Sequence, residues 1–371
     1  MIFGPDPHQE TLVLNMGPQH PSTHGVLRVV LKLDGEYVLH AEPIIGYGHR
    51  MHEKMGEVRT FQGFYANVGR MDYGCSLSFG HGFVLAVERL AGIEVPRRAE
   101  YLRVLTTELN RIGSHLLWFG AFLLDLGAFT PILYAFEDRE RQCDILEHIT
   151  GNRFVHSYMR LGGVCRDADA KFIDDTRAFI KHMKTRFDVF DKLVTGNVIF
   201  RKRVEDVGVI SKDLALKYGA TGPVIRGSGV PYDVRRSEPY SVYPDFDFEI
   251  PHFPEGDCFA RYRVRMAEME QSLRIVEQAL DRLPDGPVMA EKLPKKLKVG
   301  PGETYQAVEA GRGMLGYYLV GDGTDRAYRL KIRPPSYSNL SLVGELSRGV
   351  LLADLVAIMG SFDLVIPEID R

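Results

Sequence analysis

Apolar and polar positions alternate in short runs between residues 10 and 43: Thr11-Leu12-Val13-Leu14, then 26–33, then 36–40. That is the period of half-buried strands, and the Asp34-Gly35 pair between the last two runs predicts a hairpin. The first two strands are joined by Gly17-Pro18-Gln19-His20-Pro21-Ser22-Thr23-His24-Gly25, whose prolines and glycines forbid regular structure. From about residue 49 to 195 the period becomes helical, with breaks near 92–96 and 151–166. The segment 97–126 opens after Pro96 and then turns almost wholly apolar, as a helix at the centre of a fold does. Residues 219–256 read as a Gly- and Pro-rich excursion, 258–283 as a second helix, and 292–298 as a short basic linker. A hairpin is predicted from 316–320 through Gly321-Asp322-Gly323 to 327–333, and a closing helix over 340–359. The pattern predicts an α+β protein, a central helical bundle with small antiparallel β-sheets near both ends.

At 371 residues the chain has room for two to three domains or one large fold with excursions. Charged residues make up 26% and hydrophobic ones 45%, which excludes disordered and collagen-like classes. The net charge of -3 supplies no general electrostatic reason to bind nucleic acid. Cys75, Cys143, Cys165 and Cys258 are too widely spaced for a disulfide framework or a CxxC metal site and fit a reducing compartment. The amino terminus lacks a basic region followed by an apolar stretch, so a signal or transit peptide is not expected. The longest uncharged apolar stretch, 116–124, is too short to span a bilayer. Work at a membrane would need another chain.

Gly311-Arg312-Gly313-Met314-Leu315-Gly316 spells GxGxxG, but a dinucleotide site needs a helix after the glycines, and here a strand is predicted. The glycines read instead as a closely packed hairpin. His20, His24, His49, His52, Glu53 and His81 invite a zinc reading, yet His52-Glu53 lacks the second histidine of HExxH, and Pro21 keeps His20 and His24 off one helical face. Asp125 interrupts the apolar run 118–126, so its carboxylate needs a cation or several donors, and a histidine is one suitable partner. Arg70-Met71-Asp72-Tyr73 lies just ahead of another helical stretch, 74–90.

Asn15-Met16-Gly17-Pro18-Gln19-His20-Pro21-Ser22-Thr23-His24-Gly25-Val26-Leu27-Arg28 resembles the signature of the D subunit family of NADH-quinone oxidoreductase, respiratory complex I, which is related to nickel-iron hydrogenase large subunits. Further matches are Glu53-Lys54, Arg70-Met71-Asp72-Tyr73, Leu85-Ala86-Val87-Glu88, Ser114-His115-Leu116-Leu117-Trp118, Tyr134-Ala135-Phe136, Arg160-Leu161-Gly162-Gly163-Val164, Gly227-Ser228-Gly229-Val230 and Ile369-Asp370-Arg371. The resemblance covers residues 10–371 and implies a hydrogenase-like division into an N-terminal β domain with the quinone-site loop, 1–48, and a helical domain with a C-terminal β-hairpin, 49–371.

It also implies the chemistry: quinone reduced by electrons from a terminal iron-sulfur cluster held in a neighbouring subunit, coupled to proton pumping. His24 and Tyr73 match the residues that hydrogen-bond the quinone headgroup, with His20 beside them, and Asp125 matches the carboxylate paired with the histidine. Arg50 and Arg70 match arginines near the partner's cluster, and His156 is adjacent to Val155, which stands where many members have a histidine. The loop between Gly17 and Gly25 is expected to move when the histidine gives up its proton. No metal or other cofactor is expected on this chain. The implied partners are the peripheral-arm subunits B, C and I, of which the first carries the cluster, and the membrane-arm subunits H and A. The chain itself is expected to be peripheral, on the cytoplasmic side of the cell inner membrane.

A nickel-iron site needs two CxxC pairs, which align here with Asp72 and Cys75 and with Val365 and Glu368. Only Cys75 is a thiol, so a hydrogenase metal cannot be held and the old cavity is expected to accept quinone instead. Met51 stands where the family has glycine and Gly48 where leucine is usual. Alternatives are a catalytically silent hydrogenase-like scaffold, a complex I-like enzyme with a different electron donor, and an isolated metal hydrolase.

Overall fold

The computed structural model of the chain describes residues 11–18, 25–294 and 296–371. Strands β1 (Leu12–Met16), β2 (Arg28–Asp34) and β3 (Tyr37–Ile44) form an antiparallel sheet in that order. Asp34 pairs with Tyr37 across the expected turn, where Gly35 takes a φ of 57°. Strand alternation decides what is buried: Val29, Leu31 and Leu33 enter the core, while the paired Lys32 and His40 face outward.

Helices α1 (His52–Val58), α2 (Phe61–Val68), α3 (Ser76–Ala91), α4 (Arg97–Asp125), α5 (Thr130–Thr150) and α6 (Ala170–Phe190) follow. Gly92 and Gly151 end α3 and α5 in the left-handed conformation, a stop that glycine makes without a Cβ clash. A small ribbon, β4 (Met159–Arg160) with β5 (Gly163–Val164), fills the second break. Short helices α7 (Val198–Val204), α8 (Lys212–Lys217), α9 (Pro223–Arg226) and α10 (Val234–Ser237) lead to α11 (Cys258–Asp281).

β6 (Gly302–Ala310), β7 (Gly313–Gly321) and β8 (Arg329–Arg333) make a second antiparallel sheet. β6 is not apparent from the sequence pattern, because its most buried end carries Glu309, a charge that masks the strand. Gly311-Arg312 is the turn between β6 and β7, so the GxGxxG run has a strand on each side, as a hairpin should. Its Gly313 has a φ of 129°, and a Cβ there would stand 2.6 Å from the Gly222 nitrogen.

The single closing helix expected over 340–359 is in fact several: α12 (Pro335–Leu340), α13 (Val343–Leu346), α14 (Leu352–Phe362) and finally α15 (Ile366–Asp370). The break has a physical cause. Gly349, at φ 75°, turns the chain so that its amide donates to the Val38 carbonyl at 2.7 Å and the Val350 carbonyl accepts from the Val38 amide at 2.9 Å, tying this segment to β3. The mixed architecture with small sheets near both ends is otherwise as expected.

α4 is the axis of the molecule, packed on α3, α5, α11 and α14. Leu105, Leu109, Ile112, Leu116 and Phe119 are buried on it, but so are Arg103, Glu108, Arg111 and His115. Among the described residues no helix is long and apolar enough to cross a membrane.

Candidate active site

α15 brings Val365 and Glu368 to Ser336 at the start of α12: Ser336 N donates to Glu368 Oε1 at 2.9 Å, and Val365 N to Ser336 Oγ at 3.2 Å. Opposite them, Asp72 accepts through Oδ1 from the amides of Gly74 and Cys75 at 2.9 and 3.0 Å, which fixes the turn into α3. Into this space the β6–β7 turn inserts Arg312. Its Nη1 donates to Asp72 Oδ2 at 3.0 Å and to Ser114 Oγ at 2.9 Å, and its Nη2 to Asp363 Oδ1 at 3.2 Å. Burial works against the guanidinium charge, but Asp363 and Asp72 outweigh it and hold Arg312 well above its ordinary pKa. Of the positions aligned with metal thiolates, Asp72 thus accepts from a buried guanidinium that Asp363 also holds.

Of the residues singled out in sequence, Tyr73 borders this cluster and Asp125 lies by the last turn of α14. Tyr73, half-buried in the turn before α3, feels the charges of Arg312, Asp72, Asp363 and Glu368; burial and then the carboxylates, Asp72 foremost, raise its phenol above the usual value despite Arg312. Its ring lies 5.9 Å from that of Phe154. Asp125 is the last residue of α4, so it is not an N-cap, and a negative charge at a helix C-terminus needs compensation from outside the helix. Its Oδ2 would be 3.7 Å from a Cβ on Gly360, in the last turn of α14, whose carbonyl accepts from Trp118 Nε1 at 2.7 Å. His20 and His24 lie outside the described residues. The next residue, Gly25, is described, and a Cβ on it would stand 3.8 Å from Ile366 Cγ1 on α15. Asp125 thus lies beside Gly360 and Gly25 beside Ile366, while Tyr73 feels the charges of Asp363 and Glu368.

The family described as "Respiratory-chain NADH dehydrogenase, 49 Kd subunit" matches residues 125–299 and 292–371. Over its whole length the chain is 57% identical to the NADH-quinone oxidoreductase D subunit of Desulfotalea psychrophila, covering 99% of that protein. It is 56% identical to the protein of that name from Syntrophobacter fumaroxidans over 98% of this chain and 97% of the relative, and 49% identical to that of Geobacillus thermodenitrificans over 97% and 99%. The chain belongs to the D subunit family of NADH-quinone oxidoreductase.

The positions expected to depart from the family pattern acquire physical content in the structure. Met51, where the resemblance expects glycine, has φ 55° and ψ 40° at the N-cap of α1, a left-handed conformation that glycine adopts without strain. Val155 has φ 52°, which is strained for a β-branched residue and easier for histidine. Gly48 donates to Asp370 Oδ2 at 2.6 Å, and a Cβ on it would stand 3.1 Å from that same oxygen. With Gly46 donating to Asp370 Oδ1 at 2.7 Å and His49 Nδ1 2.6 Å from the Asp370 carbonyl, this loop is clasped to α15. Glu53 ties α1 to β8 and Arg371, at 3.0 Å from Lys331, 3.1 Å from Arg329 and 3.2 Å from Arg371.

The three residues expected near the partner's cluster differ in character. Arg50 and Arg70 are exposed, Arg70 donating to the Ala66 carbonyl. His156 is buried, its Nδ1 2.9 Å from the Asn152 carbonyl, and burial pulls its pKa down to about 4, so its imidazole is neutral at physiological pH.

Sequence reasoning missed a buried charge network in the same interior. Glu108 meets Arg111 at 3.1 Å, Arg235 at 3.2 Å and Tyr243 at 2.6 Å. His115 Nε2 lies 3.1 Å from Glu268, which also binds Arg226; Arg226 reaches Glu309 at 2.8 Å. Burial and Asp233 lift Glu309 to about 7. The signal that could have revealed it was a set of ionisable residues along a helix with no polar face.

Proposed function

We propose that the chain forms the quinone-reduction site of a proton-pumping NADH-quinone oxidoreductase, together with a neighbouring subunit that carries the terminal iron-sulfur cluster. It works as a peripheral subunit on the cytoplasmic side of the cell inner membrane, between subunits B, C and I of the peripheral arm and subunits H and A of the membrane arm. The observation that supports this most is that the segment from Gly360 to Glu368 borders all three: Asp125 at Gly360, Gly25 at Ile366, and Tyr73 through the charges of Asp363 and Glu368. The cluster in the partner supplies two electrons per quinone.

This chain's part is binding and protons. Reduction of a quinone puts negative charge on two carbonyl oxygens and consumes two protons. Tyr73, kept a phenol by its raised pKa, donates at one oxygen, and His24 donates at the other. Asp125 holds the His24 imidazole charged until its proton is given up.

The test is the intact assembly carrying Tyr73→Phe, assayed for quinone reduction beside an artificial acceptor that bypasses quinone. Quinone reduction is expected to fall by about 100-fold or more, the scale of general acid catalysis, with the bypass rate preserved. Unimpaired quinone reduction would make the chain a scaffold.

A further inference from the structure

α3 begins without a cap of its own. Cys75 stands at its N-cap and makes no capping hydrogen bond through its side chain among the described residues, so the first amides of the helix must find acceptors elsewhere. The hydroxyl of Ser76, the first helical residue, is spent on the His156 amide at 3.0 Å. The acceptors come from two sides. Asp72 Oδ1 takes the Gly74 and Cys75 amides at 2.9 and 3.0 Å. Asn110, buried on α4, takes the Leu77 amide through Oδ1 at 3.1 Å and donates through Nδ2 to the Gly74 carbonyl at 3.1 Å.

The Gly74–Cys75 peptide is therefore held by both edges, its N–H by Asp72 and its carbonyl by Asn110. The preceding peptide, Tyr73–Gly74, is held at its N–H by the same carboxylate. Asp72 in turn accepts from Arg312 Nη1 at 3.0 Å, and a Cβ on Gly74 would stand 3.0 Å from Arg312 Nη2 and 3.0 Å from Ser114 Oγ. The residues on either side of Tyr73 thus rest on α4 and on the β6–β7 turn. With the backbone fixed there, the direction of the Tyr73 Cα–Cβ bond is set, and the phenol keeps only its side-chain torsions.

We propose that Asn110 is a positioning residue for quinone reduction: from α4 it sets the backbone from which the Tyr73 phenol reaches the quinone. This rests on the reading of Tyr73 as a donor to quinone. Asn110 gives and takes no proton; it acts through the turn alone. Its removal leaves the Gly74 carbonyl and the Leu77 amide unsatisfied in a buried turn, a cost the chain relieves by shifting that turn. A misplacement on the order of 1 Å is enough to cost about 100-fold in rate where a donor must meet a reacting atom.

The experiment is a double-mutant cycle in the assembled enzyme: wild type, Asn110→Leu, Tyr73→Phe and the double variant, each assayed for quinone reduction and with the bypass acceptor. Asn110→Leu keeps the size of the side chain and removes both hydrogen bonds. It should lower kcat/KM for quinone by about tenfold or more with the bypass rate preserved. In the Tyr73→Phe background, which has no phenol to position, the same substitution should cost less than about twofold. A merely structural Asn110 gives the same loss in both backgrounds, and that result overturns the proposal, as does an Asn110→Leu enzyme with wild-type quinone reduction. Should Asn110→Leu fail to assemble or lose its bypass rate, Asn110→Asp, which keeps an acceptor for the Leu77 amide and loses only the donor to Gly74, enters the same cycle and is decided by the same outcomes. Full quinone reduction by Tyr73→Phe defeats the reading of Tyr73 itself. A loss in Tyr73→Phe to which the Asn110 substitution adds its full factor defeats the positioning role alone.

Discussion

Asp72 and Arg312 are 240 residues apart in sequence and 3.0 Å apart in the fold, with both side chains buried. One ends the turn into α3 and the other is the tip of the β6–β7 hairpin, so their pairing locks the central helices to the second sheet. Asp72 stands at one of the four positions that the hydrogenase resemblance aligns with metal thiolates, and Arg312 brings a fixed cation to it.

Arg312→Met is expected to cost about 3–5 kcal/mol, because Asp72 and Asp363 would be left as uncompensated buried charges. Arg312→Lys should recover only part of this, since a single ammonium cannot reproduce the forked contacts to Asp72 and Asp363. Thermal unfolding of the assembled enzyme, scored by release of this chain, measures both.

Two backbone substitutions should have opposite signs. Met51→Gly relieves a left-handed N-cap and is expected to be neutral or stabilising by up to about 1 kcal/mol, the strain relieved being partly offset by glycine's entropy. Gly222→Ala adds a Cβ that would stand 2.3 Å from the Arg312 carbonyl oxygen at a φ of 64°, and should destabilise by about 1–3 kcal/mol while displacing the turn that carries the guanidinium. Hydrogen exchange at the start of α1 and in the β6–β7 hairpin reads the two effects separately.

Stability should fall as pH rises above about 6.5. Burial depresses His52 and His156 to about 4, and it also lowers His81 and His115, from an ordinary value of 6.5. Between those limits the unfolded chain binds more protons, so stability rises with pH and is fully gained above 6.5. Glu309 and Glu368 are raised from 4.5 to about 7 and about 8, so the folded state holds the extra protons and stability falls as pH rises through that window. Below 6.5 the histidines oppose the raised carboxyls, which include Glu88, Glu270 and Asp363; above it the histidines no longer contribute, and the carboxyls and then the buried Cys75 thiol lower stability. The melting temperature against pH tests the shape, and Glu368→Gln should flatten the alkaline side.

Asp125→Asn retains the shape of the side chain but removes the charge proposed to hold His24 protonated. Quinone reduction should drop by about tenfold or more with its pH optimum shifted to lower pH, and the bypass rate should be unaffected. A pH profile identical to wild type would separate Asp125 from the histidine.

The α+β class, the first hairpin, the central helix and its breaks were legible in the sequence because they are local: alternation and turn residues at Asp34-Gly35, Gly92 and Gly151 act over a few residues. The isolated charge of Asp125 was legible for the same reason, whereas the role of Tyr73 came only from the family resemblance. β6, the division of the closing segment into α12 to α15, and the buried network on α4 were not. Each depends on a partner distant in the chain: Glu309 on Arg226, Gly349 on Val38, Arg103 on Glu88. The identities of the residues around the site could thus be read along the chain, but their charge states were decided by tertiary structure. Burial beside Asp72 makes Glu368 an acid, and burial in its own loop makes His156 neutral. A pKa depends on the solvent and charges a side chain meets, and those are known only once distant segments have packed together.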